Sequence, residues 1–312
     1  MVPSQRGDSA IGCLRHGASK DTKARAKREM TIHLYTRCWN DAHMLPFFFK
    51  HYDPWVDRYF VYDDRSDDAS LAILRAHPRV EVRSQPSLAD PNSRVESQRQ
   101  LQNEIWKEAR GKADWVIVTD LDEHLYHRST ISYLRKCKRN SVTVIPALGF
   151  QMVSDSFPND PSRSLFDSCS RGAPDRSYSK VSIFDPKEIY ETNFSLGRHS
   201  ASFEGRVLAP DPNELLLFHF HYLDMARVAA RHKLYLTRQR SKDIKNGWGV
   251  QYTWSDAELR KQWAQIEQSA IDIKRDHWDR ENHPGRDAWL QLPRTKLRGF
   301  ADRFLESLGI GT

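Results

Sequence analysis

The chain holds 312 residues, 39% hydrophobic and 29% charged, with a formal net charge of +7. Its 9 Trp, 11 Tyr and 14 Phe bury enough surface to offset ordering entropy, which excludes a disordered chain. No apolar run approaches the length of a spanning helix, and the polar, basic N-terminus carries no apolar core, so no signal peptide is expected. Four scattered cysteines (Cys13, Cys38, Cys137, Cys169) without a Cys-x-x-Cys pair predict a reduced, cytoplasmic protein with neither disulfide framework nor structural zinc.

The charge is unevenly placed. Residues 1–29 carry a net +4 and everything after them only +3. With almost no apolar residues, that stretch is expected to be a disordered basic tail. The apolar pattern starts after Met30. From there short β-rich runs alternate with helical segments. Strands are predicted at 31–36, 58–62, 79–83 and 115–119, and helices at 43–52, 69–76 and 93–109. Pro46 is tolerated in the first turn of the first helix. Four strands separated by three helices predict an α/β fold, a doubly wound and mostly parallel sheet. Such sheets bind ligands at the carboxyl ends of their strands.

After residue 128 the alternation loosens. Strands are predicted at 141–146, 180–184 and 215–221, and the Ser/Asp/Pro/Arg-rich stretch 154–178 is long enough to be a substrate loop. Ser255 and Glu258 are spaced as a capping box, opening a helix over 255–275. Leu297, Phe300, Phe304 and Leu308 recur at helical spacing, which predicts an amphipathic helix over 295–308 docked on the core, with a membrane-surface anchor as the alternative. The expected organisation is a tail at 1–29, a domain at 30–240 and a helical C-terminal extension at 241–312.

Three segments carry candidate chemistry. Asp120 and Asp122 end an apolar strand two residues apart, which suits a hard divalent cation such as Mg²⁺ or Mn²⁺ and a bound diphosphate. In Val61-Tyr62-Asp63-Asp64, a strand-end carboxylate can accept from a uracil N3–H or a ribose hydroxyl. Asp67 and Asp68 suit a helix N-terminus instead. On a strand through Phe218-His219-Phe220-His221, both imidazoles share one face. Together with the Asp pair they would complete a mixed oxygen and nitrogen shell that favours Mn²⁺.

In this order, Arg37-x-Trp-Asn-Asp41, the Val-Tyr-Asp-Asp-x-Ser run, Gln98-Arg-Gln-Leu-Gln-Asn103, Asp120-Leu-Asp-Glu-His and the late His221-Tyr222 resemble bacterial GT-A glycosyltransferases near families 2 and 92. The resemblance covers about residues 31–240. It implies transfer of a sugar from a nucleotide-diphosphate donor, a UDP-sugar foremost, to a glycan or lipid-linked acceptor in surface-polysaccharide synthesis. Donor contacts would come from Arg37, Asp63, Asp64, Arg99, Asn103, Asp120 and Lys180, and metal ligands from Asp120, Asp122, His221 and His219. Arg65 stands where family 2 members have Gly, and no Glu-Asp pair matches the base motif of inverting members. Asp155 and His199 are the candidate catalytic residues, with Glu204 as a further one. No specific nucleic-acid partner is expected, and a peripheral membrane contact would accompany a lipid-linked acceptor. The competing readings are a metal-dependent nucleotidyl- or phosphotransferase and a nucleic-acid-binding protein using the basic tail.

Overall fold

The computed structural model describes residues 30–86 and 89–299. The expected basic tail, and all of the expected terminal helix beyond residue 299, lie outside the described residues. In chain order the first elements are β1 (Ile32–Cys38), α1 (Leu45–Tyr52), β2 (Arg58–Asp63), α2 (Ser70–Ala76), β3 (Val80–Ser84), α3 (Arg94–Glu104) and β4 (Trp115–Val118). The strands pair in parallel in the order β3-β2-β1-β4. Cys38 lies opposite Asp63, and Tyr35 opposite Val118, so the carboxyl ends of β1, β2 and β4 face one edge. All four residues of β4 are buried, as a strand covered by helices on both faces demands.

Local chemistry explains the boundaries. Pro46 sits in the first turn of α1, where its missing N–H costs no hydrogen bond. The Ser93 hydroxyl accepts from the Glu96 amide to cap α3. That helix ends at Glu104 and gives way to a 3₁₀ turn at Lys107–Ala109, short of the single helix expected to reach 109. Arg65 holds a left-handed φ of 62°. That conformation costs a non-glycine residue about 1–2 kcal/mol of backbone energy.

The second half adds β5 (Glu123–Tyr126), α4 (Thr130–Arg139), β6 (Val144–Ser154), α5 (Leu165–Ser168), β7 (Arg171–Pro174), β8 (Val181–Phe184), β9 (Ile189–Glu191), β10 (Glu204–Gly205), β11 (Ala209–Asp211) and β12 (Leu215–Leu223). β8 joins β4 antiparallel, β6 follows antiparallel to β8, and β12 lies parallel to β6 and antiparallel to β5. The result is a ten-stranded mixed sheet with a parallel half and a mixed half. β6 runs to Ser154, well past the expected 146, because it pairs along most of its length with β12.

Then come α6 (Met225–Leu236), α7 (Ser241–Lys245), α8 (Asp256–Ser269), β13 (Ile271–Asp272) and β14 (Arg294–Lys296). The Ser255–Glu258 capping box is present. α8 stops at Ser269 because the next residues turn extended and pair with β7. Residues 294–296, where the terminal helix was expected to start, are a strand parallel to β11. Ladder partners at Ala209–Asp211 win over the local helical spacing. Among the described residues, two of the apolar clusters frame the site. One joins Tyr35, Phe60, Trp106, Val116, Phe184 and Trp289, and the other packs Val153, Tyr222, Val228, Trp263 and Ile266 under α6 and α8.

Asn103 on α3 is buried, and its amide is fully committed. Its Oδ1 accepts from the Thr192 hydroxyl and the Phe194 amide, both at 2.7 Å, and its Nδ2 donates to the Phe194 and Arg99 carbonyls at 3.2 and 2.9 Å. Asn103→Ala leaves buried donors without partners and should lower stability by about 1–3 kcal/mol. Urea denaturation checks this; a midpoint equal to the parent's would contradict the clamp.

Candidate functional site

A cavity of about 570 Å³ opens at the carboxyl ends of β1 and β4 and against β12. Its walls include Arg37, Trp39, Arg94, Asp120, Asp122, Lys180, His199, His219 and His221. The β5–β12 pairing brings its inner wall together. Glu123 lies opposite His219, and the Phe220 amide donates to the Asp122 carbonyl at 2.8 Å. Asp122 is thereby set beside the face of β12 that carries His219 and His221.

Among the described residues, Asp122, His219 and His221 form a group whose ligand atoms all lie within 4.8 Å of one another. Asp122 Oδ2 is 3.4 Å from His219 Nε2 and 3.8 Å from His221 Nδ1. The His219 ring is held on two sides. Tyr178 stacks on it at 4.0 Å, and Gln151 Oε1 lies 2.7 Å from its Nδ1. Gln151 Nε2 donates to the His219 carbonyl at 3.1 Å. A carbonyl only accepts, so Oε1 must be the Gln151 atom facing the ring, and Nδ1 carries the proton. The lone pair on Nε2 then points toward Asp122, as a metal ligand requires. Tyr178 reaches this position because β6 has no side chain at Gly149, where a Cβ would lie 2.1 Å from the Tyr178 backbone.

Electrostatics keep this donor set competent. Burial alone would raise the Asp122 carboxyl, but the facing His219 and His221 hold it well below the usual carboxylate range. Burial pushes the His221 imidazole down. His232 on α6, 3.1 Å from His221 Nε2, is pushed down to about 4, first by burial and then by His221. A carboxylate and two imidazoles fit a divalent transition ion such as Mn²⁺, and less readily Mg²⁺, which prefers an all-oxygen shell.

Glu123 also borders the cavity, buried and held by two buried cations. Lys180 Nζ donates to its Oε1 at 2.7 Å, and Arg198 Nη2 pairs with its Oε2. Arg198 also donates to the Val118 carbonyl at 2.6 Å, the Ser182 hydroxyl at 3.0 Å and Asp120 Oδ2 at 3.3 Å. Gly197 and Arg198 both adopt left-handed φ, at 63° and 58°, which turns the guanidinium inward. Burial would raise the Glu123 carboxyl, but Arg198 and then Lys180 hold it well below its ordinary range. Asp120 is thus tied to Arg198 and stands apart from the three clustered ligands.

Opposite the carboxylates lies a cationic, aromatic wall. The Arg238 and Arg231 guanidiniums lie 4.0 and 5.4 Å from the Trp39 ring centroid, and Arg94 lies 5.3 Å from Tyr235. Arg231 is occupied: it pairs with Asp41 at 2.5 Å and donates to the Asn40 carbonyl at 2.6 Å. Arg37 and Arg94 each keep a buried Nε–H without a hydrogen-bond partner among the described residues. Burial and the neighbouring Arg37 push Arg94 down to about 10. Such a wall invites an anion.

The structure therefore gathers Arg37, Asp120, Asp122, Lys180, His199, His219 and His221 around one cavity and leaves the other expected residues elsewhere. Asp64 lies behind the wall, its Oδ2 2.7 Å from Arg238 and 3.7 Å from Arg94. Asp63 accepts the Ser66 amide at 3.1 Å in its own turn. Arg99 pairs with Glu96 one turn away on α3, and Asn103 is consumed by the 192–194 loop. Asp155 is exposed on a bend beyond β6, and Glu204 accepts from Asn193 on an exposed strand. None of these six residues lines the cavity. Lys180 reaches it, but its charge is committed to Glu123. His199 sits at its rim, with Nδ1 2.7 Å from the Ser177 carbonyl.

Sequence reasoning assigned no role to Glu123, Arg198, Gln151 or His232. One signal was available: Gln151 is a lone amide inside a buried apolar run, and such a group needs a partner. Glu123→Gln strands Lys180 and Arg198 and should cost about 3–5 kcal/mol. Because the folded pKa is depressed, the Glu123 contribution is complete above the unfolded carboxylate range and is lost progressively as pH falls from that range through the folded value. Denaturant midpoints of parent and variant should differ at neutral pH and converge in strong acid. Equal midpoints at pH 7 would refute the pairing.

No curated protein matches the sequence. Among solved structures, the chain is similar to glucosyl-3-phosphoglycerate synthase from Mycobacterium tuberculosis, crystallised with Mn²⁺, UDP and glucosyl-3-phosphoglycerate. That match has 18% identity and a TM-score of 0.28, over 45% of this chain and 50% of that one. It is also similar to S. aureus TarS: the form 1–349 with UDP at 14% identity and TM-score 0.33 over 50% and 47% of the two chains, and TarS itself at 12% and 0.36 over 65% and 40%. The matched part thus spans half or less of each of these structures. The family model for glycosyltransferase family 92 matches residues 56–280, a span that includes β2 to β4, the cavity's acidic wall, β12 and α8. This chain belongs to glycosyltransferase family 92.

Proposed function

We propose that this protein transfers a sugar from a nucleotide-diphosphate donor, a UDP-sugar foremost, with the aid of a divalent cation held by Asp122, His219 and His221. The observation that carries the reading is the convergence of these three ligand atoms within 4.8 Å in a strand-end cavity. A bound Mn²⁺ or Mg²⁺ would neutralise charge developing on the departing diphosphate. The chain's own residues supply the rest. Arg37 and Arg94 offer unpartnered N–H groups to phosphate oxygens. Asp120, with Oδ2 on Arg198, keeps Oδ1 for a donor hydroxyl. Asp64 contributes from behind the wall, by orienting Arg94 and Arg238.

Of the two candidate catalytic residues only His199 lines the cavity. Its Nδ1 faces a carbonyl and so carries the proton, which leaves Nε2 free to accept the proton of an acceptor hydroxyl. Phe157, Tyr222, Tyr252 and Trp254 line the outer cavity and suit the apolar faces of a sugar ring. A glycan or glycolipid acceptor follows, in keeping with surface-polysaccharide synthesis. Among the described residues no helix is long and apolar enough to cross a membrane.

The test is a thermal-shift panel of UDP, GDP and CDP with and without Mn²⁺. UDP at about 100 times its Kd should stabilise the parent by about 2.7 kcal/mol only when Mn²⁺ is present. Asp122→Ala and His219→Ala should each lose that metal-dependent stabilisation while still unfolding in one cooperative transition without ligand. Metal-dependent UDP binding retained in both variants would overturn the reading. Release of sugar 1-phosphate rather than UDP from a UDP-sugar would point to nucleotidyl transfer instead, and release of UMP to transfer of the sugar phosphate.

A further inference from the structure

The two imidazoles of the Asp122 cluster do not approach it in the same way. His219 turns Nε2 toward the carboxylate, with Nδ1 held by Gln151. His221 turns Nδ1 toward it, with Nε2 held 3.1 Å from His232 Nε2. The rings are nearly coplanar in orientation, 1° apart with centroids 5.6 Å from each other. On a strand, residues 219 and 221 share a face, yet their backbones are offset along it. His219 is fixed from behind by a glutamine on β6, and His221 by a histidine on α6.

We propose that His232 is a positioning residue that holds His221 in the tautomer whose Nδ1 binds the cation. The argument is one of proton count. An imidazole that ligates through Nδ1 must be unprotonated there, so its single proton is on Nε2. The group 3.1 Å from that nitrogen must then accept, and His232 Nε2 does so when its own proton is on Nδ1. His232 is buried, and its ring also meets Tyr252 edge-on at 5.5 Å, so it is not free to swing away. Without an acceptor there, His221 would lose the constraint that keeps its Nδ1 lone pair and ring plane aimed at Asp122. Outer partners of this kind commonly govern metal affinity by 10–100-fold.

The inference rests on the metal reading above, and the experiment separates the two. Mn²⁺ binding to the full chain is followed by loss of the free-ion EPR signal, for the parent, Asp122→Ala, His232→Phe and His232→Gln. His232→Phe keeps the ring volume but no acceptor, and should bind Mn²⁺ about 10–100-fold more weakly than the parent. His232→Gln restores a side-chain acceptor and should recover most of that loss. Parent-like affinity in His232→Phe, with Asp122→Ala defective, would overturn the positioning role alone. A parent that binds no Mn²⁺, or an Asp122→Ala that binds it normally, would overturn both readings. A measurement on the parent covers the case in which His232→Phe fails to fold. With Zn²⁺ as a diamagnetic ion, long-range ¹⁵N–¹H correlations should report His221 protonated at Nε2, and protonation at Nδ1 would refute the proposal.

Discussion

A carboxylate cannot be left charged inside a protein without cations placed to meet it, and Glu123 is such a carboxylate. Its two oxygens are met by Lys180, at the entrance of β8, and by Arg198, on a left-handed turn far along the chain. Its backbone carbonyl accepts from the Tyr52 hydroxyl of α1 at 2.8 Å. Through Arg198 the same knot reaches the Val118 carbonyl at the end of β4 and the Asp120 carboxylate. Four separate stretches of chain thus meet at this residue. Withdrawing Lys180 or Arg198 would leave the buried carboxylate undercompensated. The loop that carries Asp120 and Asp122 is anchored by these contacts.

The site is built outward from this knot in two opposed halves. The acidic half contains Asp120, Asp122 and the two imidazoles of β12, and Tyr178 and Gln151 hold His219 in place. The position of Tyr178 depends on segments distant in sequence. It needs a bare backbone at Gly149 on β6. It also needs the C-terminal region, where Trp289 donates to the Ser179 carbonyl at 2.6 Å and His283 lies 2.9 Å from the Gly149 carbonyl. The cationic half contains Arg37, Arg94, Arg231 and Arg238 around Trp39 and Tyr235, with Asp41 and Asp64 compensating only part of the charge. A cavity with carboxylates on one wall and surplus guanidinium on the other suits a ligand carrying both a cation and phosphates.

α6 connects the halves. It begins beside β12, sends His232 to His221, and sends Arg231 to the Trp39–Asp41 loop after β1. Arg238, just past its end, reaches Asp64. α7 continues the attachment, since Asp243 is buried against Ser93 and the first amides of α3. The segment after β12 therefore forms a wall of the site and does more than pack against its back.

What the sequence determined by itself was whatever local pattern can encode. The βα alternation from residue 31 to 119, the strand-end position of Asp120 and Asp122, the shared face of His219 and His221 and the cap of α8 all follow from periodicities and spacings within a few residues. Tertiary structure decided the partnerships. That Asp122 belongs with the two histidines while Asp120 belongs with Arg198 depends on β5 pairing with β12 and on an inward-turned arginine 78 residues away. That Asn103 serves a loop, and that Asp64 stands behind Arg94 and Arg238, depends on which side chain arrives first at each buried polar atom. The helical spacing over 295–308 yielded at residues 294–296 to ladder bonds from β11. Local sequence specifies which groups a segment can offer. Only the packed chain specifies which charge or hydrogen-bonding group each of them must satisfy, because burial makes an unmet polar group too costly to leave.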